Sequence, residues 1–137
     1  MLLARLYRLS ADHGNSDAQN NLGWMYSCGF GVEEDHKEAV RLFRLSAVQG
    51  NSEAQFNLGI MYKYGLGVEK DLKEAVRLYC LLADQGHALA QFNLGKMYQY
   101  GLGVEKDLKE AVRLYRLSAN QGISIAKSYL NYLLKSL

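Results

Sequence analysis

Histidines, cysteines and paired carboxylates are the side chains of this sequence that could carry out catalysis or hold a metal. His13, His36 and His87 stand at three different places relative to the predicted helices, each near a helix end. A metal site needs converging ligands, and a catalytic base needs a nucleophile beside it. The sequence shows neither arrangement. We therefore predict surface histidines, no bound metal, no cofactor and no enzymatic activity.

Carboxylates are paired at Glu69 with Asp71 and at Asp71 with Glu74, a pattern that general acid–base catalysis could use. The D-x-x-E spacing recurs at 35–38 and 107–110. An aspartate followed three residues later by glutamate is also the pattern that caps a helix start, where both side chains satisfy free backbone amides. We predict that these pairs are helix caps.

The stretch Gly65-Leu66-Gly67 could be taken for a loop that holds a phosphate group. Such loops require a preceding strand, a third glycine and a lysine, and none of these is present at the expected spacing. The same G-x-G recurs at 29–31 and 101–103. We predict a structural turn at each of the three places.

Basic side chains recur along one face of several predicted helices. Such a stripe could contact nucleic acid or an anionic surface. Acidic residues flank it at each helix start, however, and the net charge of the chain is only +2. We favour a solvated helix face and expect no nucleic-acid partner. The stripe consists of Arg5, Arg8, Lys37, Arg41, Arg44, Lys73, Arg77, Lys109, Arg113 and Arg116.

Glycines reveal the elements that carry all these residues. The 13 glycines fall into four columns with a spacing of 36 residues, and the columns begin at Gly14, Gly23, Gly29 and Gly31. Residues 51–86 and 87–122 differ at only eight positions. A period of this length is typical of a solenoid or an array of repeated units.

Each unit is predicted to contain two helices, here called A and B. Helix A, about 52–63, carries apolar residues at a helical spacing and ends at the glycine turn. Helix B follows its aspartate cap and ends at Gly86. Small residues such as Gly59 and Ala75 are expected where two helix backbones approach closely. The predicted fold class is all-α, a right-handed α-solenoid of about eight helices in antiparallel pairs.

The repeat also predicts the organisation of the chain as a single solenoid domain. Full repeats cover 15–50, 51–86 and 87–122. Residues 1–13 correspond to a helix B alone, as if the chain began inside a longer solenoid. Residues 123–137 correspond to a helix A alone, which we expect to close the stack.

Composition limits the cellular setting. No apolar run approaches the ~20 residues that a membrane span requires, so we expect no membrane association. Cys28 and Cys80 are the only cysteines and occupy unrelated repeat positions, which is not the pattern of a disulfide scaffold. We predict a cytoplasmic protein with two free thiols.

The stretch AQFNLGIMYKYGLGVEKDLKEAVRLYCLLADQG resembles a Sel1-like repeat, a member of the tetratricopeptide-like superfamily. Two departures stand out: glutamate replaces the usual proline after G-x-G-V, and the paired cysteines of the secreted branch are missing. The resemblance implies an adaptor that gathers other proteins into a complex. It rests on Ala54, Leu58-Gly59, Tyr62, Gly65-x-Gly67-Val68, Asp71, Ala75 and Gln85-Gly86.

In related tetratricopeptide proteins helix A lines a concave groove, and the resemblance implies the same here. Aromatic side chains with polar groups are typical of binding surfaces. Asn21, Asn57 and Asn93 could hold a peptide backbone, or they could tie helix to helix; Phe56 and Phe92 could instead pack between A helices. The predicted partner-binding residues are Asn21, Trp24, Phe56, Asn57, Ile60, Lys63, Tyr64, Phe92, Asn93, Lys96, Gln99, Tyr100 and Tyr132.

The function predicted from the sequence is therefore non-enzymatic binding of a protein or peptide segment along the concave face. One alternative is a structural spacer that stacks end to end. Another is anion or nucleic-acid binding through the basic stripe, which would weaken steeply with salt. We expect a monomer or a weak end-to-end oligomer.

Overall fold

A computed structural model describes residues 1–137 and contains eight α-helices and no strand. The predicted fold class, an all-α chain of antiparallel helix pairs with a 36-residue repeat, is confirmed. The predicted A helices are α2 (Ser16–Cys28), α4 (Ser52–Tyr64), α6 (Ala88–Tyr100) and α8 (Ser124–Ser136). The B helices are α1 (Leu2–Asp12), α3 (His36–Ala47), α5 (Leu72–Asp84) and α7 (Leu108–Asn120). None of the helices is long and apolar enough to cross a membrane.

The chain divides into two compact units, and the first covers Met1–Asp71. Its small core joins helices α1, α2 and α3 through alanines and larger apolar side chains. The buried members are Ala4, Ala11, Ala18, Leu22, Met25 and Leu42. The four helices of unit 1 are α1 (Leu2–Asp12), α2 (Ser16–Cys28), α3 (His36–Ala47) and α4 (Ser52–Tyr64).

Unit 2 covers Leu72–Leu137. Its core joins α6, α7 and α8 and is richer in aromatic residues than that of unit 1. The buried members are Phe92, Ala111, Tyr115, Ala126, Leu130 and Leu133. The four helices of unit 2 are α5 (Leu72–Asp84), α6 (Ala88–Tyr100), α7 (Leu108–Asn120) and α8 (Ser124–Ser136).

Aspartates cap two of the B helices as predicted. Oδ1 of Asp35 accepts the amide of Glu38 at 3.1 Å, and Oδ1 of Asp107 accepts the amide of Glu110 at 3.1 Å. Each bond satisfies one of the amides that a helix start leaves without an intrahelical partner. The carboxylates at these two positions thus have a structural role.

The A helices have caps that the sequence analysis missed. Oδ1 of Asn15 accepts a hydrogen bond from the amide of Ala18 at 2.9 Å, and Oδ1 of Asn51 accepts one from the amide of Ala54 at 2.9 Å. His87 does the same with Nδ1, which accepts the amide of Ala90 at 3.1 Å. An imidazole nitrogen here performs the task of an asparagine oxygen, so His87 is part of the fold and not simply a surface residue.

The predicted glycine turns are present. Gly65 ends α4 in the left-handed region at a φ of 67°, and Gly67 follows at 70°. A Cβ added to Gly67 would lie 2.3 Å from the carbonyl oxygen of His36. Only glycine therefore fits this turn, both for its dihedral angle and for the space around it.

Glycines inside the A helices make room for aromatic rings. A Cβ on Gly23 would lie 2.7 Å from the Phe43 ring, and a Cβ on Gly95 would lie 2.7 Å from the Tyr115 ring. The sequence predicts a close approach of two backbones at this repeat position, and a Cβ on Gly23 would also lie 3.3 Å from the backbone oxygen of Ala39 in α3. The nearest neighbour is nevertheless a ring from the following B helix, which a larger residue would displace.

Side-chain hydrogen bonds join two of the B helices, α3 and α7, to the A helices that precede them. In unit 1 the hydroxyl of Ser46 donates to the carbonyl of Ser16 at 2.7 Å, and Gln49 donates to Gln19 at 2.8 Å. In unit 2 the corresponding bonds, both 2.8 Å, run from Ser118 to the carbonyl of Ala88 and from Gln121 to Gln91. These bonds hold α2 against α3 and α6 against α7.

Candidate functional site

Two exposed aromatic residues stand together at the end of α2. The Trp24 side chain and the Phe30 side chain are each half exposed, and their ring centres lie 5.6 Å apart. Gly29 ends the helix with a left-handed conformation, and the amide of Phe30 then donates to the carbonyl of Met25 at 2.9 Å. This turn brings Phe30 back to Trp24 and forms a small apolar surface patch.

The end of α4 carries a second exposed aromatic residue of unit 1. Tyr64 is 60% exposed, whereas its neighbour Lys63 is only 9% exposed. Nζ of Lys63 lies 5.3 Å from the centre of the Tyr64 ring, within range of a cation–π contact. Burial lowers the pKa of Lys63.

Asparagines link α2 to α4 in unit 1. Nδ2 of Asn57 donates to Oδ1 of Asn20 at 3.0 Å, and Nδ2 of Asn20 donates to Glu53 at 3.3 Å. In unit 2, Nδ2 of Asn93 donates to the carbonyl of Leu89 within its own helix at 2.9 Å. Asn57 therefore ties helix to helix, the alternative that the sequence left open, and Asn93 bonds within α6.

Tyrosines of α6 and α8 line an apolar cavity of about 320 Å³ in unit 2. Its wall is formed by Gln99, Tyr100, Ser128, Tyr129 and Tyr132. Tyr100 and Tyr132 are 58% and 68% exposed, so their rings form the rim. Large exposed aromatic rings around a mostly apolar depression offer a partner a large contact area, and little side-chain entropy is lost when they are covered.

An aromatic cluster supports the floor of this cavity. Phe92 packs edge-on against Tyr129 with ring centres 5.1 Å apart, and Tyr115 lies 5.5 Å from Tyr129. The Tyr115 hydroxyl donates to Oε1 of Gln99 at 2.5 Å. These contacts fix Tyr129 and Gln99 beneath the two exposed rings.

The structure corrects the predicted partner-binding set at three positions. Phe92 and Gln99 are buried because they pack in the aromatic cluster of unit 2, and Lys63 is buried at the end of α4. These three side chains support the surface from below and do not present themselves to a partner. The exposed members of the predicted set are Trp24, Tyr64, Tyr100 and Tyr132, and the half-buried ones are Asn21, Phe56, Asn57, Ile60, Asn93 and Lys96.

Phe30 was missed by the sequence analysis. It stands between the two glycines of the first turn, where the other two repeats have a leucine. A larger, aromatic side chain in a turn that elsewhere holds leucine is the sequence feature that could have identified Phe30.

Acidic neighbours pair with the arginines of the predicted basic stripe. Arg41 binds Glu38 through Nε at 2.5 Å and through Nη2 at 3.0 Å. In unit 2, Nε of Arg113 lies 2.6 Å from Oε1 of Glu110. Paired charges of this kind are typical of solvated helix faces and leave less positive charge for an anionic partner.

The histidines lie at the ends of three different helices. His36 is half-buried, with Nε2 at 2.8 Å from a carboxylate oxygen of Glu34, and His13 is exposed at the end of α1. No group of three or more His, Cys, Asp and Glu side chains could hold a metal ion. Cys28 and Cys80 are free thiols.

Comparison with protein families finds one match. The model of the Sel1 repeat matches residues 16–51, 52–87 and 88–123, which is most of the chain. A comparison with functionally curated proteins finds no match.

Several solved structures are similar to this chain. A Sel1 repeat protein from Oxalobacter formigenes is 38% identical over 86% of the chain, with a TM-score of 0.80. The protective antigen c5321 of uropathogenic Escherichia coli, which displays an SLR fold, is 32% identical over 97% of the chain, with a TM-score of 0.59. The chain spans 49% of the first protein and 36% of the second. Cysteine rich protein B of Helicobacter pylori shares the fold at 20% identity, with a TM-score of 0.70; 93% of this chain and 96% of that one are covered.

Proposed function

The chain belongs to the Sel1 repeat family, and we propose that it is a non-enzymatic adaptor that binds a protein or peptide segment. Repeats of this family generally mediate protein–protein interaction. The proposed binding residues are exposed aromatic side chains of the A helices, which the sequence analysis predicted to line the concave face, together with Phe30 of the first turn. We call them the aromatic face of each unit: Trp24, Phe30 and Tyr64 in unit 1, and Tyr100 and Tyr132 in unit 2.

The tyrosine cavity of unit 2 carries this proposal. Exposed Tyr100 and Tyr132 stand at its rim, while buried partners hold its floor. Binding energy at protein interfaces concentrates in a few residues, among which Tyr and Trp are over-represented. A preformed cavity lined by tyrosines therefore suits the insertion of one apolar side chain from a peptide.

A peptide selection tests the proposal. Peptides are selected from a phage-displayed random library on the immobilised chain and then measured against variants by calorimetry. Tyr100→Ala combined with Tyr132→Ala should weaken binding about 10-fold or more, because loss of a central aromatic contact costs ~2 kcal/mol. The matched control is Leu81→Ala, which shortens an exposed apolar residue of α5.

The proposal requires the selected peptides to bind the tyrosine double variant more weakly than they bind the Leu81→Ala control. If the tyrosine double variant binds as well as the wild type, the site lies elsewhere. If it loses its helical circular dichroism, the tyrosines are needed for folding; Tyr100→Phe and Tyr132→Phe, which keep the rings, should then retain both structure and binding.

One observation favours a second candidate function, assembly by end-to-end stacking. Leu2, Leu6 and Leu9 are exposed along one face of α1. Leu42 holds the register position of Leu6 in α3 and is buried against Leu22 in the core of unit 1. The Leu6 position is thus covered in α3 and open in α1, where another helix pair would fit, whereas Leu45 at the Leu9 position is exposed in α3 as well.

Analytical ultracentrifugation distinguishes the two functions. Stacking predicts larger species at higher concentration that disappear in Leu6→Glu, while peptide binding in the tyrosine cavity remains. A chain that stays monomeric at all concentrations would exclude end-to-end stacking and leave peptide binding as the proposed function.

We also propose a cytoplasmic, reducing setting, with no nucleic-acid partner. The two cysteines are free thiols in this fold, and the arginines of the basic stripe bind acidic neighbours. Mass spectrometry of the chain isolated from its own cell should find both thiols unmodified by disulfide formation.

A further inference from the structure

Arg8 on α1 occupies a well-defined guanidinium site in unit 1. Its Nη2 donates to the Tyr26 hydroxyl at 2.8 Å and to Oε2 of Glu38 at 3.2 Å. Its Nη1 lies 3.9 Å from Oδ1 of Asp12, and the guanidinium carbon is 5.5 Å from the centre of the Tyr26 ring. One phenol and two carboxylates therefore surround this guanidinium group.

The same surroundings recur in unit 2 without the arginine. Two repeat lengths along the chain, Asp84, Tyr98 and Glu110 hold the register positions of the three Arg8 partners. The position of Arg8 itself is taken by Cys80. The repeat has thus kept the partners of a guanidinium and replaced the long basic side chain with a short thiol.

A cavity of about 380 Å³ lies where this replacement occurs. Cys80 lines it together with the three residues that correspond to the Arg8 partners. Gly86, Gln91, Arg113 and four apolar side chains complete the wall, so that both a hydrocarbon stem and a polar head group would find suitable neighbours. The apolar lining residues are Ala83, Leu94, Leu114 and Leu117.

The charges around the cavity favour a cation. Asp84 and Glu110 are acidic, and Arg113 pairs with Glu110 at 2.6 Å and 2.9 Å, which leaves one negative charge in excess. Burial, and then the charges of Asp84 and Glu110, raise the pKa of the Cys80 thiol. The thiol therefore stays neutral and adds no positive or negative charge to the site.

The pair between Glu110 and Arg113 does not block a second guanidinium. In unit 1, Glu38 binds Arg41 in the same bidentate way and still accepts a hydrogen bond from Arg8 at 3.2 Å. A carboxylate has enough lone pairs for both arginines.

We propose that the cavity beside Cys80 receives an arginine side chain of a protein partner, which binds there as Arg8 binds in unit 1. A planar guanidinium can donate to the Tyr98 hydroxyl and to the Glu110 carboxylate together, whereas a lysine ammonium is a point charge without that fork. The site shares no lining residue with the tyrosine cavity and does not rest on the function proposed above.

Three blocked tripeptides test the site by NMR titration of the full chain. They are acetyl-Gly-X-Gly-amide with X as arginine, lysine or citrulline, the last an uncharged analogue of arginine. The arginine peptide should give saturable shifts at Tyr98, Cys80 and Glu110 with a Kd on the order of 1 mM. Binding should be several-fold weaker for lysine and lost for citrulline. Equal binding of the citrulline peptide, or shifts confined to other residues, would overturn the proposal.

Variants of the chain give an independent test. Cys80→Arg supplies the guanidinium from within and should abolish binding of the arginine peptide, whereas the control Cys80→Ser keeps the cavity and should bind as the wild type does. Asp84→Asn changes an exposed residue and should weaken binding about three-fold or more, which keeps a test available if Cys80→Arg does not fold. Unchanged binding in Cys80→Arg, or in Asp84→Asn, would contradict the proposed site.

Free L-arginine separates the two possible sources of a guanidinium group. It has the same side chain but an α-ammonium and an α-carboxylate in place of the flanking peptide groups, so a site for a partner's side chain should bind the blocked peptide at least as tightly. Tighter binding of the free amino acid would exclude a protein partner as the source.

Discussion

The Tyr115 hydroxyl donates a 2.5 Å hydrogen bond to Oε1 of Gln99, and both side chains are buried in unit 2. Burial, with the nearby phenols of Tyr100 and Tyr129, raises the pKa of Tyr115. The hydroxyl therefore remains a donor throughout the physiological pH range. This bond fixes Gln99 beneath the tyrosine cavity and joins α6 to α7.

The first prediction concerns this bond. Gln99→Leu should destabilise the chain by about 1–3 kcal/mol, because it leaves the buried Tyr115 hydroxyl without its acceptor. Tyr115→Phe should cost a similar amount for the same reason. The double variant should be more stable than the sum of the two losses implies, since it leaves neither group unpaired. Urea denaturation of all four proteins measures the coupling; strictly additive losses would show that the bond contributes little.

A second prediction concerns Gly95. Glycine-to-alanine changes inside helices ordinarily stabilise by about 1 kcal/mol. At this position the new methyl group would lie 2.7 Å from the Tyr115 ring, which cannot move easily because its hydroxyl is bonded to Gln99. We expect Gly95→Ala to destabilise by about 1–3 kcal/mol.

The control for Gly95 is Asn131→Ala. Asn131 holds the same repeat position on α8 but is exposed, so alanine there should be neutral or slightly stabilising. The melting temperature should fall for Gly95→Ala and should stay the same or rise slightly for Asn131→Ala. A stabilised Gly95→Ala protein would show that the ring and helix separate at little cost.

The period of 36 residues was sufficient to predict the helices, because each repeat shows the glycine turn and the aspartate cap directly. The same pattern could not predict which polar residues of the A helices are exposed. Apolar residues lie on several faces of α4 and α6, since an A helix has more than one neighbour. A helical wheel then gives no single solvent face.

Lys63 and Gln99 illustrate this limit. They hold the same repeat position, are polar, and were predicted to contact a partner, yet both are buried. Gln99 is buried because Tyr115 donates to it, a contact that depends on a ring from a different helix. Tyr100, the next residue along the chain after Gln99, is exposed.

A third prediction uses the pKa of Lys63. Burial lowers this pKa in the folded chain below its ordinary value of 10.5, so the unfolded chain binds more protons in the range between the two values. Stability should therefore rise with pH as pH approaches 10.5. Lys63→Met should be more stable than the wild type at pH 7, and the difference should shrink as the pH rises.

The control for Lys63 is Lys127→Met, which removes an exposed lysine of α8 and corrects for pH effects that any lysine loss produces. Chemical denaturation at several pH values between 7 and 10 measures both series. A difference between wild type and Lys63→Met that grows with pH would contradict the predicted sign.

The last prediction concerns Trp24, the single tryptophan of the chain. Its side chain is 50% exposed and lies against Phe30, with ring centres 5.6 Å apart. If a partner covers the unit 1 part of the aromatic face, water leaves the indole and its emission should shift to shorter wavelength. Phe30→Ala should weaken binding of the same peptides and shift the emission of the free chain to longer wavelength, because the indole loses its apolar neighbour. Trp24→Phe should abolish the signal yet retain folding. Tight binding of a selected peptide with no change in Trp24 emission would place unit 1 outside the contact and restrict the proposed surface to the tyrosine cavity of unit 2.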